Sequence, residues 1–310
     1  MLKKTPATRD PLDALLSAPD GAVLAVIAGV EGPSYRPVGA MMAVMDAASR
    51  TGTLSSGCIE ADIALHAMEV AQTGQPRTLR YGRGSPFIDI QLPCGGGLDI
   101  VVLPAPDRDA IAQIVENRAA RRPCSLVIDM RTGGMYVHEE GPTGRFGDTL
   151  TIRFEPEIRF LVFGKGPEAS TFAALVNSAG YPNLLLSPDD ETLGWGEMSG
   201  CDTRHVTDQS FPEDLQVDGR TAVVLFFHDH DWEPPILAGA LETPAFYIGA
   251  QGSQRARDAR LMILQGMGVS EAACARLHGP VGLIPSARDA GTLAVSVLAE
   301  ILGKAMANAP

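Results

Sequence analysis

The residues able to do chemistry cluster in a few glycine-rich turns. Gly164-Lys165-Gly166-Pro167-Glu168-Ala169 follows an apolar run and opens a helical one. It fits G-x-G-x-x-A, in which the glycines allow close phosphate approach and a helix N-terminus supplies N–H donors. Pro167 offers no N–H, and the acids expected near the second strand end, Asp189 and Asp190, are displaced beyond Pro188. The turn reads either as an NAD(P) seat or as a Rossmann-like turn without a held dinucleotide. His228-Asp229-His230-Asp231, with Glu233 after it, brings metal-ligand types together, but such close neighbours reach one ion only in a special loop, so a polar site wall is expected. Gly249-Ala250-Gln251-Gly252-Ser253-Gln254-Arg255, with Arg257 and Arg260 beyond, reads as an anion cradle or as a surface helix pairing with Asp258.

Earlier in the chain, Ser34-Tyr35-Arg36-Pro37-Val38-Gly39 is a polar turn, and residues 52–60, with Ser55, Ser56, Gly57, Cys58 and Glu60, form a serine and glycine loop before a helix. Pro93-Cys94-Gly95-Gly96-Gly97 opens a strand. Cys58 and Cys94 could be reactive thiolates, the former near a helix N-terminus, or small buried packing residues. There is no G-x-S-x-G elbow, H-E-x-x-H or Walker loop, so no catalytic residue is assigned.

These turns need strands and helices to hold them. Residues 22–30, 40–45 and 98–103 read as strands, and 60–71 and 109–120 as helices. Residues 126–130, 135–138 and 150–154 read as short strands around a glycine-rich stretch. From Arg159 the pattern alternates, with strands at 159–163, 184–187, 221–227 and 245–248. Helices are expected at 168–179, 235–241, 254–265, 270–277 and 289–302. The fold class is therefore α/β: a mixed α+β N-terminal domain, then a Rossmann-like, doubly wound parallel sheet. The boundary falls near 141–157, giving domains 1–150 and 151–310.

The chain carries a net charge of −12, with aromatic residues at 5%. Both argue against a nucleic-acid partner, which wants a basic face and stacking rings. Residues 1–155 hold 15 basic and 18 acidic side chains, and residues 156–310 hold 10 and 19. An anionic ligand would thus need a local device. The run 22–30 is too short to span a bilayer and no signal pattern precedes it, so the protein is expected to be cytoplasmic. The 5 cysteines are scattered without C-x-x-C, which disfavours a disulfide scaffold or a structural zinc.

Taken together, these pieces resemble the XdhC/CoxI family over nearly the whole chain. The resemblance rests on Ser34-Tyr35-Arg36 with Pro37 and Gly39, Ser55-Ser56-Gly57-Cys58-Ile59-Glu60 and Pro93-Cys94-Gly95-Gly96. It continues through Tyr247-Ile248-Gly249-Ala250-Gln251-Gly252-Ser253, Arg276-Leu277-His278-Gly279-Pro280 and residues 294–301. It implies an accessory protein that binds molybdenum cofactor (molybdopterin) and passes it to an apo molybdenum hydroxylase of the xanthine dehydrogenase type. A cysteine desulfurase partner and a homodimer are also implied. Cofactor contacts are expected at Ser34, Tyr35, Arg36, Ser55, Ser56, Gly57, Cys58, Glu60, Cys94, Gly95 and Gly96. In the second half they are expected at Gly164, Gly166, His228, Asp229, Gly249, Gly252, Ser253, Arg255, Arg260 and His278. The chain departs from the family pattern at Ser56, at Phe227-His228, at Glu233 in place of an Asp, and at Ile284-Pro285-Ser286-Ala287. The alternatives are a scaffold that bridges a sulfurase to its client, and a nicotinamide-dependent oxidoreductase using Gly164, Gly166 and Ala169 with His228 or His278 as proton donor.

Overall fold

A computed structural model describes residues 9–55, 57, 59–85, 92, 95–228 and 231–307 of the chain. They divide into two compact units, one ending at Pro156 and the other starting at Glu157.

The first unit opens with α1 (Pro11–Leu16), whose Asp10 cap accepts the Leu12 and Asp13 N–H groups. There follow β1 (Val23–Glu31), β2 (Met41–Val44), β3 (Arg50–Gly52), α2 (Glu60–Thr73), β4 (Arg77–Gly82) and β5 (Gly97–Pro104). Then come α3 (Arg108–Ala119), β6 (Cys124–Asp129), β7 (Met135–His138), β8 (Gly144–Phe146) and β9 (Thr149–Phe154). Two antiparallel sheets result, ordered β3-β2-β1-β5-β4 and β7-β6-β9-β8. The unbroken apolar run of β1 is explained by burial on both faces. Val23, Ala25 and Ile27 pack with Ile63 and Ala67 of α2, while Leu24 and Val26 join the core of α1, α3 and the second sheet.

The second unit alternates throughout. It contains β10 (Arg159–Gly164), α4 (Pro167–Ser178), β11 (Asn183–Ser187), α5 (Asp190–Met198), β12 (Asp202–His205) and β13 (Thr221–Phe226). It continues with α6 (Glu233–Leu241), β14 (Tyr247–Ala250), α7 (Gln254–Gly266), α8 (Glu271–Cys274), β15 (Leu277–His278) and α9 (Ala290–Ala307). The six strands are parallel in the order β12-β11-β10-β13-β14-β15, the dinucleotide-fold order 3-2-1-4-5-6. Phe160 and Val162 face α4 and α9, and Leu161 and Phe163 face α6 and α7. By length and composition α9 could cross a bilayer. Here its Ala294, Val297, Ile301 and Ala305 lie in the core of this unit.

The sequence reading of one helix over 270–277 is corrected. Only Glu271–Cys274 is α-helical, and Leu277 and His278 pair with Ile248 and Gly249 as the sixth strand. Arg276 makes the turn possible. Its guanidinium donates to the carbonyls of Leu241, Thr243 and Ala245 at 2.6, 2.9 and 2.8 Å. The substitution Arg276→Met leaves those carbonyls without their donor and should lower unfolding stability by about 2–4 kcal/mol, read from urea denaturation. An unchanged midpoint would contradict the clip.

Candidate functional site

In the first unit, strand direction gathers the chemically interesting loops. Val26 pairs with Met41, Met42 with Gly52, and Gly97 with both Glu31 and Gly82. The ends of β1, β3 and β4 and the starts of β2 and β5 therefore lie at one end of the five-stranded sheet. The loops carrying Ser34–Arg36, Ser55–Glu60 and Gly95–Gly96 all leave from that end. Arg80 holds it together: its guanidinium donates to Glu31, to Asp99 Oδ1 at 3.1 Å and to the Arg83 carbonyl at 2.8 Å. A Cβ on Gly96 would lie 2.0 Å from the Pro33 carbonyl oxygen, so only glycine lets the two loops touch. The Ser34 hydroxyl closes its own turn by donating to the Arg36 carbonyl at 2.7 Å, leaving Tyr35 and Arg36 exposed.

The serine loop is built around the Glu60 carboxylate, which is only 2% exposed. Oε1 accepts from the Thr53 hydroxyl at 2.5 Å and from the Leu54 and Ser55 N–H groups at 3.0 and 2.8 Å. Oε2 accepts from the Ser55 hydroxyl at 3.0 Å and from the Gly57 and Ile59 N–H groups at 2.9 and 3.2 Å. Burial by itself would raise this carboxyl, but the bonds from Thr53 and the loop N–H groups prevail and hold its pKa at about 2. The loop's N–H groups thus already serve an internal anion, and Glu60 acts as the loop's organiser. Ser56, Cys58 and Cys94 lie outside the described residues.

In the second unit, Gly164 ends β10 and Gly166 caps α4 at the carboxyl edge of the sheet, beside the switch between β10 and β13. The donors expected for a pyrophosphate are engaged here. Lys165 N–H donates to the Phe226 carbonyl at 3.1 Å and Gly166 N–H to Thr192 Oγ1 at 2.9 Å, while Pro167 has none. Asp189 accepts from the Thr192 hydroxyl at 2.6 Å and its N–H at 3.0 Å, bonds that hold its pKa below the usual carboxylate value. Lys165 Nζ stands 3.7 Å from the same carboxylate. A self-contained network therefore occupies the place where a dinucleotide would find its partners.

His228 follows β13, largely exposed, with Nε2 at 3.5 Å from Glu168 Oε2 and 3.4 Å from Gln251 Nε2. Asp229 lies outside the described residues. Gly252 and the α7 cap Ser253 stand at the same sheet edge. Four of the expected contact residues have other neighbours. Arg260 is buried, donating through Nε and Nη2 to Glu233 and through Nη2 to the Gln251 carbonyl. Gly249 lies inside β14, where a Cβ would come within 2.6 Å of the Tyr247 ring. His278 stacks on Tyr247 at 4.5 Å between centroids, and burial lowers its pKa. Arg255 borders another hollow, with Pro234 and Ile263, which shares Ser253 and Arg260 with the larger one beside Gln251. Sequence reasoning missed Thr53, Arg80, Thr192 and Gln251. Thr53 and Gln251 lay within motifs that drew attention, whereas Arg80 and Thr192 did not.

A six-stranded parallel sheet wound in this order defines a Rossmann-type domain, here following an antiparallel domain whose loops meet at one sheet end. Residues 15–82 match the XdhC and CoxI family and residues 160–301 the XdhC Rossmann domain. The chain is 34% identical, over 94% of its length and 85% of the relative's, to the molybdenum cofactor insertion chaperone PaoD of Escherichia coli (strain K12). It is 25% identical to a probable xanthine dehydrogenase subunit of Bacillus subtilis (strain 168), over 94% of this chain and 95% of that one. The crystal structure of a xanthine dehydrogenase from Bacillus halodurans superposes with a TM-score of 0.78, covering 96% of this chain and 95% of that one at 22% identity, which supports the fold. The chain belongs to the XdhC and CoxI family.

Because the folded Glu60 carboxyl titrates near 2 instead of 4.5, its contribution is present above about pH 4.5 and is lost as pH falls toward 2. Glu60→Gln should cost on the order of 3 kcal/mol at pH 7, with the gap to wild type closing between pH 4.5 and 2 in urea titrations. A gap that stays constant with pH would refute the charged cage.

Proposed function

We propose that this protein binds molybdenum cofactor as cargo and delivers it to a molybdenum hydroxylase of the xanthine dehydrogenase type. The observation that carries the reading is the relationship to the cofactor insertion chaperone PaoD across 94% of the chain. The geometry agrees with it in two respects. The first unit gathers its three family loops at one sheet end, and the second unit keeps hollows at the carboxyl edge of its sheet, where α/β domains take ligands. Arg36, with its side chain exposed at the first of these places, suits the cofactor's phosphate. Cys58 and Cys94, as soft donors, suit its molybdenum and sulfur. A sulfur-donating desulfurase partner, a homodimer and a cytoplasmic location complete the reading.

Purified from a host that makes the cofactor, the protein should carry near-stoichiometric molybdenum and pterin. Cys58→Ala or Cys94→Ala should reduce both several-fold without lowering the melting temperature. A wild-type protein that carries neither, and takes up neither on reconstitution, would refute the role.

A further inference from the structure

Two hollows meet at Phe227 and His228 on the carboxyl edge of the second unit's sheet. One, of about 940 Å³, opens on the β10 side beside Lys165, Gly166 and Pro188. This is the dinucleotide side, and the turn beneath it has its Lys165 and Gly166 N–H groups bonded internally, as described above. The other, of about 790 Å³, lies on the α7 side and is bordered by Glu168, His228, Gln251, Ser253 and Leu293. Its size suits a compact heterocyclic ligand.

The groups bordering this second hollow are mixed: Gly252, the α7 cap Ser253, Arg260 and Arg288 stand on one side, and the Glu168 carboxylate enters from α4. Glu168 places a carboxylate in the first turn of α4, where it would repel a pyrophosphate. The carboxylate is three-quarters buried, and among the described residues its ion-pair partner is the exposed His228. Gln251 is 7% exposed, and its amide is pinned by donation to the Phe227 carbonyl at 3.3 Å. Val281 and Leu293 add apolar wall. A carboxylate offers two adjacent acceptors, which match two adjacent N–H donors on a flat ring. A 2-amino-4-oxopyrimidine edge, found in pterins and in guanine, presents such a pair.

We propose that the α7-side hollow seats the pterin ring of the cargo, with Glu168 accepting from its amino edge and His228 and Gln251 beside it. This assignment rests on the cofactor-delivery reading and gives the pterin a place in the second unit, away from the dinucleotide side.

The test titrates the full-length protein with neopterin, guanosine monophosphate and NADH, following fluorescence or calorimetry, and compares Glu168→Gln and Lys165→Ala with wild type. Neopterin should bind wild type and Lys165→Ala alike and Glu168→Gln at least tenfold more weakly, with melting temperatures showing all three folded. Equal neopterin affinity in wild type and Glu168→Gln would overturn the proposal, as would tighter binding of guanosine monophosphate than of neopterin, or neopterin binding that is lost in Lys165→Ala. Cofactor content from the producing host separates the two levels. If wild type and Glu168→Gln both carry molybdenum and pterin equally, the pterin seat falls and delivery stands. If wild type carries neither, the delivery reading itself falls.

Discussion

Burial of both faces of the central strands decides where this protein can meet a ligand. β1 has helix α2 on one side and the second sheet with α1 and α3 on the other, and β10 and β13 lie between two helical layers. Apolar layers leave no room for polar chemistry across a sheet face. Polar side chains with room to act are therefore found at the sheet ends, in turns held by their own hydrogen bonds.

Each end reaches rigidity through buried charge. In the first unit the Glu60 carboxylate is stabilised by hydrogen bonds from the hydroxyl and N–H groups of its own loop. In the second, the Arg260–Glu233 pair is almost fully enclosed and also holds the Gln251 carbonyl. Such enclosed charge is costly when left unpaired, so removing a partner from either arrangement is penalised and one loop geometry is favoured. They also explain why several residues conspicuous in the sequence serve the fold: Glu60 and Arg260 look like ligand groups by type, and only their partners reveal the other role.

Much of the architecture was legible because its signals are local. The apolar runs of β1, β10 and β13, the proline and glycine stops, and the Ser253 cap announce themselves within a few residues. The rest depends on distant partners. β12 is a polar edge strand, Asp202–His205, that exists because β11 offers a ladder. α5 contains Gly194 and Gly196, poor helix formers, and is nucleated by Asp189 at its cap. β15 is two residues long and set by Arg276. At the site, the loops could be named but their convergence could not, since it follows from strand register. The engagement of the dinucleotide turn hangs on Thr192, 26 residues beyond Gly166.

That last bond has a further consequence. A Rossmann domain that holds nicotinamide is tied to the ratio of oxidised to reduced coenzyme, and its readiness rises and falls with metabolism. Here Thr192 and Asp189 complete the turn from within the chain. In this structure the shape of the turn is set by those two residues of the chain itself and not by the oxidised or reduced state of a coenzyme.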